Sequence, residues 1–308
     1  MTPVRDSPSA TLSHRSVAAY RGVVRTHGLV DHVPGAGAAD HLCWIYENDA
    51  DLDAAARRFL TDGLERGERV LCVGERVIES LRTMSPPVPD LAAALERGAV
   101  ETMTLDQAYA AAGPTRPEPQ LAYYDTATRR ALSDGYRGLR VIAEVSGLAM
   151  DPVQRADLVQ WEQLTDQYAV RGAGFAAMCA YRSDLTGEAL GDVAAVHPVV
   201  RSRAEVSSFR FFVDGDRLAL AGSADTFCSE RLARVLAACG VTGGAVLDVA
   251  GLEFIDVGAC RVLARWGADL QARSIPLAII GATALLQRMW RVLALDRIAP
   301  VTFAESAT

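Results

Sequence analysis

HLCWIYENDADLDAAARRFLTDGLERGERVLCVG (residues 41–74) is the stretch that decides the fold. HLCWIY (41–46) is an unbroken apolar run of strand length, with none of the polar alternation of a strand that has one face in water. After it Asp49 or Asp51 is placed to cap a helix whose apolar positions Leu52, Ala55, Ala56, Phe59, Leu60 and Leu64 recur at helical spacing. Gly67 stops that helix, and RVLCVG (69–74) is a second buried strand. A buried strand, a covering helix and another buried strand predict an α/β layer fold with a parallel sheet covered on both faces.

The same alternation continues outward. The pattern predicts helix over 121–133, a strand at LRVIAEV (139–145), helix over 153–168 and a strand at GFAAMCAY (174–181). From 182 to 208 the segment RSDLTGEALGDVAAVHPVVRSRAEVSS is polar and shows no clear core face, so residues 186–207 are expected to form a linker. Beyond it FRFFVDGD (209–216) and RLALAGS (217–223) form a hairpin around Asp-Gly. A helix near 228–238, AVLDVAG (245–251), a helix to 272, PLAIIGA (276–282), a helix over 284–295 and PVTF (300–303) complete a ββαβαβαβ order. The expected division is an N-terminal extension (1–30), a first α/β domain (31–185), the linker (186–207) and a second, smaller α/β domain (208–308).

Composition narrows the function classes. Of 308 residues half are hydrophobic and 22% charged, and the formal net charge is −7. An acidic chain is not built to neutralise nucleic-acid phosphates, so no direct nucleic-acid partner is expected. All 31 basic residues are arginine. That removes the phosphate-loop lysine and Schiff-base chemistry. Six cysteines without a CxxC read as reduced thiols and exclude a disulfide scaffold. The longest uncharged apolar stretch, about 274–287, is too short to cross a bilayer and contains Pro276, and MTPVRDSPSATLSHR lacks the apolar core of a secretory signal. A cytoplasmic location without membrane contact is expected.

The second domain resembles a STAS domain, the sulfate transporter and anti-sigma factor antagonist fold. The resemblance rests on LALAGSADTF (218–227), LDVAGLEFIDVGACRVLARW (247–266) and PLAIIGATALLQRMWRVLALDR (276–297). It implies a docking surface for an anti-sigma factor of the histidine-kinase ATPase type, made by Gly222, Ser223, Asp225, Thr226, Asp256, Val257, Gly258 and Ala259. In the family a serine at the start of the second long helix is phosphorylated by that partner. Here the equivalent position is Gly258, so the usual switch is lost. Ser223 and Thr226 are nearby hydroxyls, though a loop hydroxyl is more often a cap or turn residue. The simple structural reading is that Asp256 caps the helix and Val257 and Cys260 pack it.

The first domain resembles a MEDS domain, the sensory domain named from methanogens, methylotrophs and the dichloromethane regulator, which is similar to a RecA-like ATPase core without its catalytic parts. The residues that carry it are 41–74, GYRGLRVIAEVSGLA (135–149) and FAAMCAYR (175–182). Where a phosphate loop belongs stand Glu47, Asn48, Asp49, Ala50 and Asp51, acidic and glycine-free, so no ATPase is expected and no cofactor is assigned. The five histidines include no pair at metal spacing, and no Gly-x-Ser-x-Gly elbow occurs. His41 and Cys43 share a strand face, and with Cys179 they can hold a soft metal or sense oxidants; core packing is the plainer reading, and no metal is assigned. Tyr46, Glu144 and Ser146 lie nearer the strand ends, where α/β sheets bind ligands. These six residues are the candidates for a sensory pocket taking a small molecule.

Together the resemblances imply a non-enzymatic signalling regulator of the anti-sigma factor antagonist type, its STAS half controlled by the sensory half. The alternative is a small-molecule or redox sensor whose STAS half serves homodimerisation or scaffolding.

Overall fold

A computed structural model describes residues 25–34, 41–112, 117–172, 174–241 and 243–304. The first domain runs β1 (Gly28–Leu29), β2 (His41–Tyr46), α1 (Asp49–Glu65), β3 (Arg69–Val73), α2 (Glu75–Thr83), α3 (Leu91–Glu96), β4 (Val100–Met103), α4 (Leu105–Ala112), α5 (Pro117–Ser133), β5 (Leu139–Glu144), α6 (Ser146–Met150), α7 (Pro152–Val170), β6 (Phe175–Arg182), α8 (Gly187–Ala194) and β7 (Val199–Arg201). Among the described residues its strands form one sheet in the order β1-β7-β2-β6-β5-β3-β4. Every pairing in it is parallel.

All six residues of β2 are buried because the sheet is covered on both sides. One face carries Cys43, Ile45, Cys179 and Tyr181, the other Leu42, Trp44, Tyr46 and Met178, as the two-residue period of a strand requires. The cap of α1 is Asn48, whose side chain accepts from the Asp51 N–H, whereas Asp49 and Asp51 sit in the first turn and complement the helix dipole.

The second domain runs β8 (Phe209–Asp214), β9 (Arg217–Ala224), α9 (Ser229–Ala238), β10 (Ala245–Asp248), β11 (Leu252–Ile255), α10 (Val257–Ala272), β12 (Leu277–Ile280), α11 (Ala284–Val292), a 3-10 turn (Leu295–Arg297) and β13 (Thr302–Ala304). β8 and β9 are the expected antiparallel hairpin. On its other edge β9 pairs in parallel with β10 near its start and with β11 near its end, and β12 and β13 follow β10 in parallel. Gly222 is required where β9 passes under the domain's entrance: its φ is +88°, and a Cβ there would stand 2.5 Å from the Ser208 carbonyl oxygen.

The segment 186–207, expected as a linker, is folded into the first domain. Thr186 caps α8 by accepting from the Ala189 N–H, and β7 pairs with both β1 and β2. Its polar residues are used internally. Asp192 accepts from Arg155, Arg231 and Arg234 at 3.1, 3.0 and 2.9 Å, and Arg201 grips Asp51 with both terminal nitrogens at 2.6 and 2.8 Å. The extension expected over 1–30 also contributes, since β1 belongs to the sheet; residues 1–24 of that extension lie outside the described residues.

The two domains share one helix. α7 packs on β2 and β6 with one side and on β8 and α9 with the other. Hydrogen bonds cross the boundary from the Val213 N–H to Asp166 Oδ2 at 2.7 Å, from Gln163 Nε2 to the Val235 carbonyl at 2.9 Å and from the Phe211 N–H to the Ala195 carbonyl at 2.7 Å. Val159, Ala195 and Val196 of the first domain join the hydrophobic core of the second.

Candidate functional site

In the first domain the chemistry gathers where α7 crosses β2 and β6. The strand register sets Cys43 opposite Cys179 and His41 opposite Ala177, so His41, Cys43 and Cys179 face α7 together. Glu162 and Asp166, one turn apart on α7, point at them. His41 Nε2 donates to Glu162 Oε2 at 3.0 Å and Nδ1 donates to Asp166 Oδ1 at 3.2 Å. Cys179 Sγ donates to Glu162 Oε2 at 3.2 Å, and the Tyr181 hydroxyl donates to Glu162 Oε1 at 2.5 Å. Asp166 also meets Arg25 at 2.7 Å. His197, from the turn after α8, lies against His41 with ring centroids 4.1 Å apart.

Burial opposes charge throughout this cluster, and the partners decide the outcome. For His41, burial is outweighed by the hydrogen bonds to Asp166 and Glu162, which hold the imidazole at about 9. For Glu162 burial is likewise overcome, by His197 and His41, and the carboxylate lies well below its usual range. His197 goes the other way: burial and the charge of His41 hold it below an ordinary histidine. Desolvation together with the Glu162 charge pushes the Cys43 and Cys179 thiols far up, which makes them poor nucleophiles at neutral pH.

Tyr46, Glu144 and Ser146 form a separate group at the strand ends. The Tyr46 hydroxyl donates to Glu144 Oε1 at 3.1 Å, the Ser146 hydroxyl donates to the same oxygen, and Ser146 Oγ accepts from the Arg182 N–H at 2.8 Å. The three side chains are buried and satisfy one another. A cavity of about 610 Å³ lies beyond the ends of β3 and β4 instead, lined by Asp49, Asp53, Arg76, Thr102, Thr104 and Gln107. The turn between β2 and α1 is two residues long, and the acids around it are engaged: Glu47 by Arg203, Asp49 by Arg76 and Asp51 by Arg201.

In the second domain Gly222, Ser223, Asp225, Thr226, Asp256, Val257, Gly258 and Ala259 meet at the ends of β9 and β11. Asp256 caps α10, its Oδ1 accepting from the Ala259 N–H at 2.9 Å. Its Oδ2 accepts from the Thr226 N–H at 2.8 Å and the Thr226 hydroxyl at 2.6 Å. Burial opposes this carboxylate's charge, but the bonds from Thr226 and Ala259 together outweigh it and hold the group below its usual range. Thr226 occupies the space a side chain at 258 needs: a Cβ on Gly258 would lie 2.6 Å from Thr226 Oγ1. Around this lock Phe227 is 98% exposed, Phe254 54% and Val257 38%.

Sequence reasoning did not find Glu162, Asp166, Tyr181 and His197, nor the exposed Phe227 and Phe254. For Glu162 and Asp166 the available signal is two acids four apart in a helix that otherwise reads as buried; for Phe227, a bare aromatic in the loop behind the docking motif.

No described helix is long and apolar enough to cross a membrane. Among curated proteins none matches the chain. A solved structure of the Mycobacterium smegmatis helicase Lhr bound to ssDNA and AMP-PNP is similar at 13% identity and a TM-score of 0.23 over 92% of this chain, which spans 38% of that one; a likeness this low carries no argument. Residues 208–301 match the family described as "Mlab, STAS domain". Residues 40–198, just over half of the chain, match "MEDS: MEthanogen/methylotroph, DcmR Sensory domain", and the chain belongs to that family, a MEDS domain followed by a STAS domain.

Proposed function

We propose that this protein is a cytoplasmic, non-enzymatic signalling regulator whose STAS half binds an anti-sigma factor of the histidine-kinase ATPase type under control of the MEDS half. The observation that carries the reading is Phe227, almost wholly exposed beside Phe254, Val257 and the capped start of α10. Exposed apolar side chains grouped at one rim of a domain favour a protein partner. With glycine at 258 and Thr226 filling the adjacent space, that surface is fixed in one chemical state, so control falls to the first domain through the shared helix α7. The absence of catalysis is supported by the arginine-paired acids in the short β2–α1 turn, which leave no cradle for a triphosphate.

The test is affinity capture from the native host with the full chain and with Phe227→Asp/Val257→Glu. The expected result is recovery of a histidine-kinase-type ATPase by the first bait and at least a tenfold loss with the second. Absence of such an ATPase, or equal recovery by both baits, overturns the reading. Gly258 also suits the second reading, dimerisation through the STAS half, which predicts instead that the double substitution converts a dimer to a monomer in sedimentation.

A further inference from the structure

The cluster around His41 contains one contact that its own hydrogen bonds leave unresolved. His197 is fully buried, and its Nδ1 lies 2.8 Å from the Val193 carbonyl oxygen. A carbonyl only accepts, so Nδ1 carries a proton, and Nε2 is the ring nitrogen left to face the rest of the cluster. That atom has no hydrogen-bond partner among the described residues, and it stands 3.5 Å from Glu162 Oε2. An imidazole nitrogen and a carboxylate oxygen thus face each other in the buried interior without a hydrogen bond between them, a pairing that a bound cation would bridge.

We propose that His41 Nε2, Glu162 Oε2, Cys179 Sγ and His197 Nε2 form a four-ligand site for a divalent first-row transition-metal ion, zinc being the preferred occupant. These four atoms all lie within 4.8 Å of one another. The distances between them include 3.0 Å for His41 to Glu162, 3.2 Å for Cys179 to Glu162, 3.5 Å for His197 to Glu162 and 3.9 Å for Cys179 to His41. Zinc bonds of about 2.0–2.3 Å at tetrahedral angles place ligand atoms roughly 3.3–3.7 Å apart, so adjustments of a few tenths of an ångström bring most of these atoms to bonding distance. Two imidazoles, a thiolate and a carboxylate suit a borderline cation; calcium and magnesium prefer all-oxygen shells.

The surroundings of the four residues are those a metal site needs. Asp166 holds His41 by Nδ1, the Val193 carbonyl holds His197 by Nδ1, and Tyr181 holds the far oxygen of Glu162. Each of these three ligands is thus oriented from behind by a second partner. Charge balances as well. On metal binding the proton on His41 Nε2 and the proton on Cys179 Sγ leave as a 2+ ion enters, so the net charge of the buried cluster is unchanged. With four protein ligands and no open position, the site is structural or regulatory rather than hydrolytic. Its ligands come from β2, α7, β6 and the turn after α8, so occupancy clamps the helix that both domains share.

The test uses the full chain, unfolded with chelator and refolded with Co²⁺, because a buried site fills as the protein folds. Expected is a folded protein that saturates at one Co²⁺ per chain, with tetrahedral bands in the visible and a thiolate-to-cobalt band in the near ultraviolet, both lost on adding Zn²⁺. Cys179→Ser removes the near-ultraviolet band, His197→Asn weakens binding at least tenfold, and Cys43→Ser, adjacent to the set but outside it, keeps both signatures. A folded wild-type protein without the thiolate band overturns the proposal, even if the variants fail to fold. So does a band that survives Cys179→Ser or disappears in a folded Cys43→Ser.

Discussion

In the first domain Glu162, Asp166 and His41 have at most 1% of their surface in contact with solvent, whereas in the second Asp256 is half-buried and its neighbour Phe227 is 98% exposed. Both groups are built around carboxylates that accept several hydrogen bonds. The difference is what becomes of the donors if the carboxylate is lost. Around Asp256 the two Thr226 donors are exposed and turn to water; around Glu162 the donors have nowhere to go. The buried group is therefore part of the stability of the molecule, and the exposed group is a surface whose shape can change at little cost to the fold. That division suits the proposed function, in which the first domain takes the input and the rim of the second gives the output.

Glu162→Ala tests this contrast most severely. It strips the acceptor from His41, Cys179 and Tyr181 at once, leaving buried donors unpaired, and is expected to cost about 3–5 kcal/mol. Denaturant unfolding followed by circular dichroism measures it; a loss below about 1 kcal/mol would mean that the cluster opens to water and that the contrast with Asp256 is false.

Asp192→Ala comes next, because it acts on the joint between the two regions. Arg155 of α7 and both Arg231 and Arg234 of α9 converge on this one buried carboxylate, but Arg234 is nearly half exposed and can turn to solvent. The expected loss is about 1.5–3 kcal/mol, with the single unfolding transition separating into two as the domains uncouple. One unchanged transition would show that the packing of α7 and of the Ala195–Val196 turn holds the domains together without this carboxylate.

The two regions also differed in how far the sequence exposed them. The strands and helices of residues 41–74 and the hairpin at 209–223 are legible because each carries its own period and its own turn signal. The rim proposed for docking is legible for the same reason: Gly222, Asp225, Asp256 and Gly258 fall in two short runs next to buried strands. The His41 cluster has no such run. Its members stand at 41, 162, 179 and 197, and they meet only because two strands pair in register while α7 and the turn after α8 pack on them. Glu162 and Asp166 were hidden further because α7 is buried on two sides, so it lacks the polar stripe that separates inward from outward residues. α8 and β7 escaped for a related reason. Their polar residues look solvated in sequence, and it is Arg231, Arg234 and Asp51, each far along the chain, that satisfy them.

Gly258→Ser sharpens the comparison on the exposed side. The new side chain meets the Thr226 hydroxyl, which must give up its bond to Asp256 or move with its loop. An expected cost of about 1 kcal/mol follows, since a surface loop relaxes more readily than a core. In the double variant with Thr226→Ala the clash is absent, and a thermodynamic cycle should return a coupling of at least about 0.5 kcal/mol. Additive losses would mean that Thr226 does not fill the site.

The smallest effect concerns the charge of Asp256. Burial pushes its carboxyl up, but the hydrogen bonds from Thr226 and Ala259 together hold it below the ordinary aspartate value of 3.8. A folded-state value below the unfolded one means that the stabilisation is fully present above about 4 and is lost as pH falls through the folded value. Asp256→Asn keeps the capping oxygen and removes only the charge. The stability gap between the two proteins should therefore be constant from pH 7 to pH 5 and close on further acidification. The carboxyl carbon shift of Asp256, followed by NMR over the same range, should titrate with a midpoint below 3.8. A midpoint at or above that value would mean that Thr226 does not donate to Asp256 in solution; the loop carrying Phe227 would then lack the anchor that fixes the rim proposed for docking.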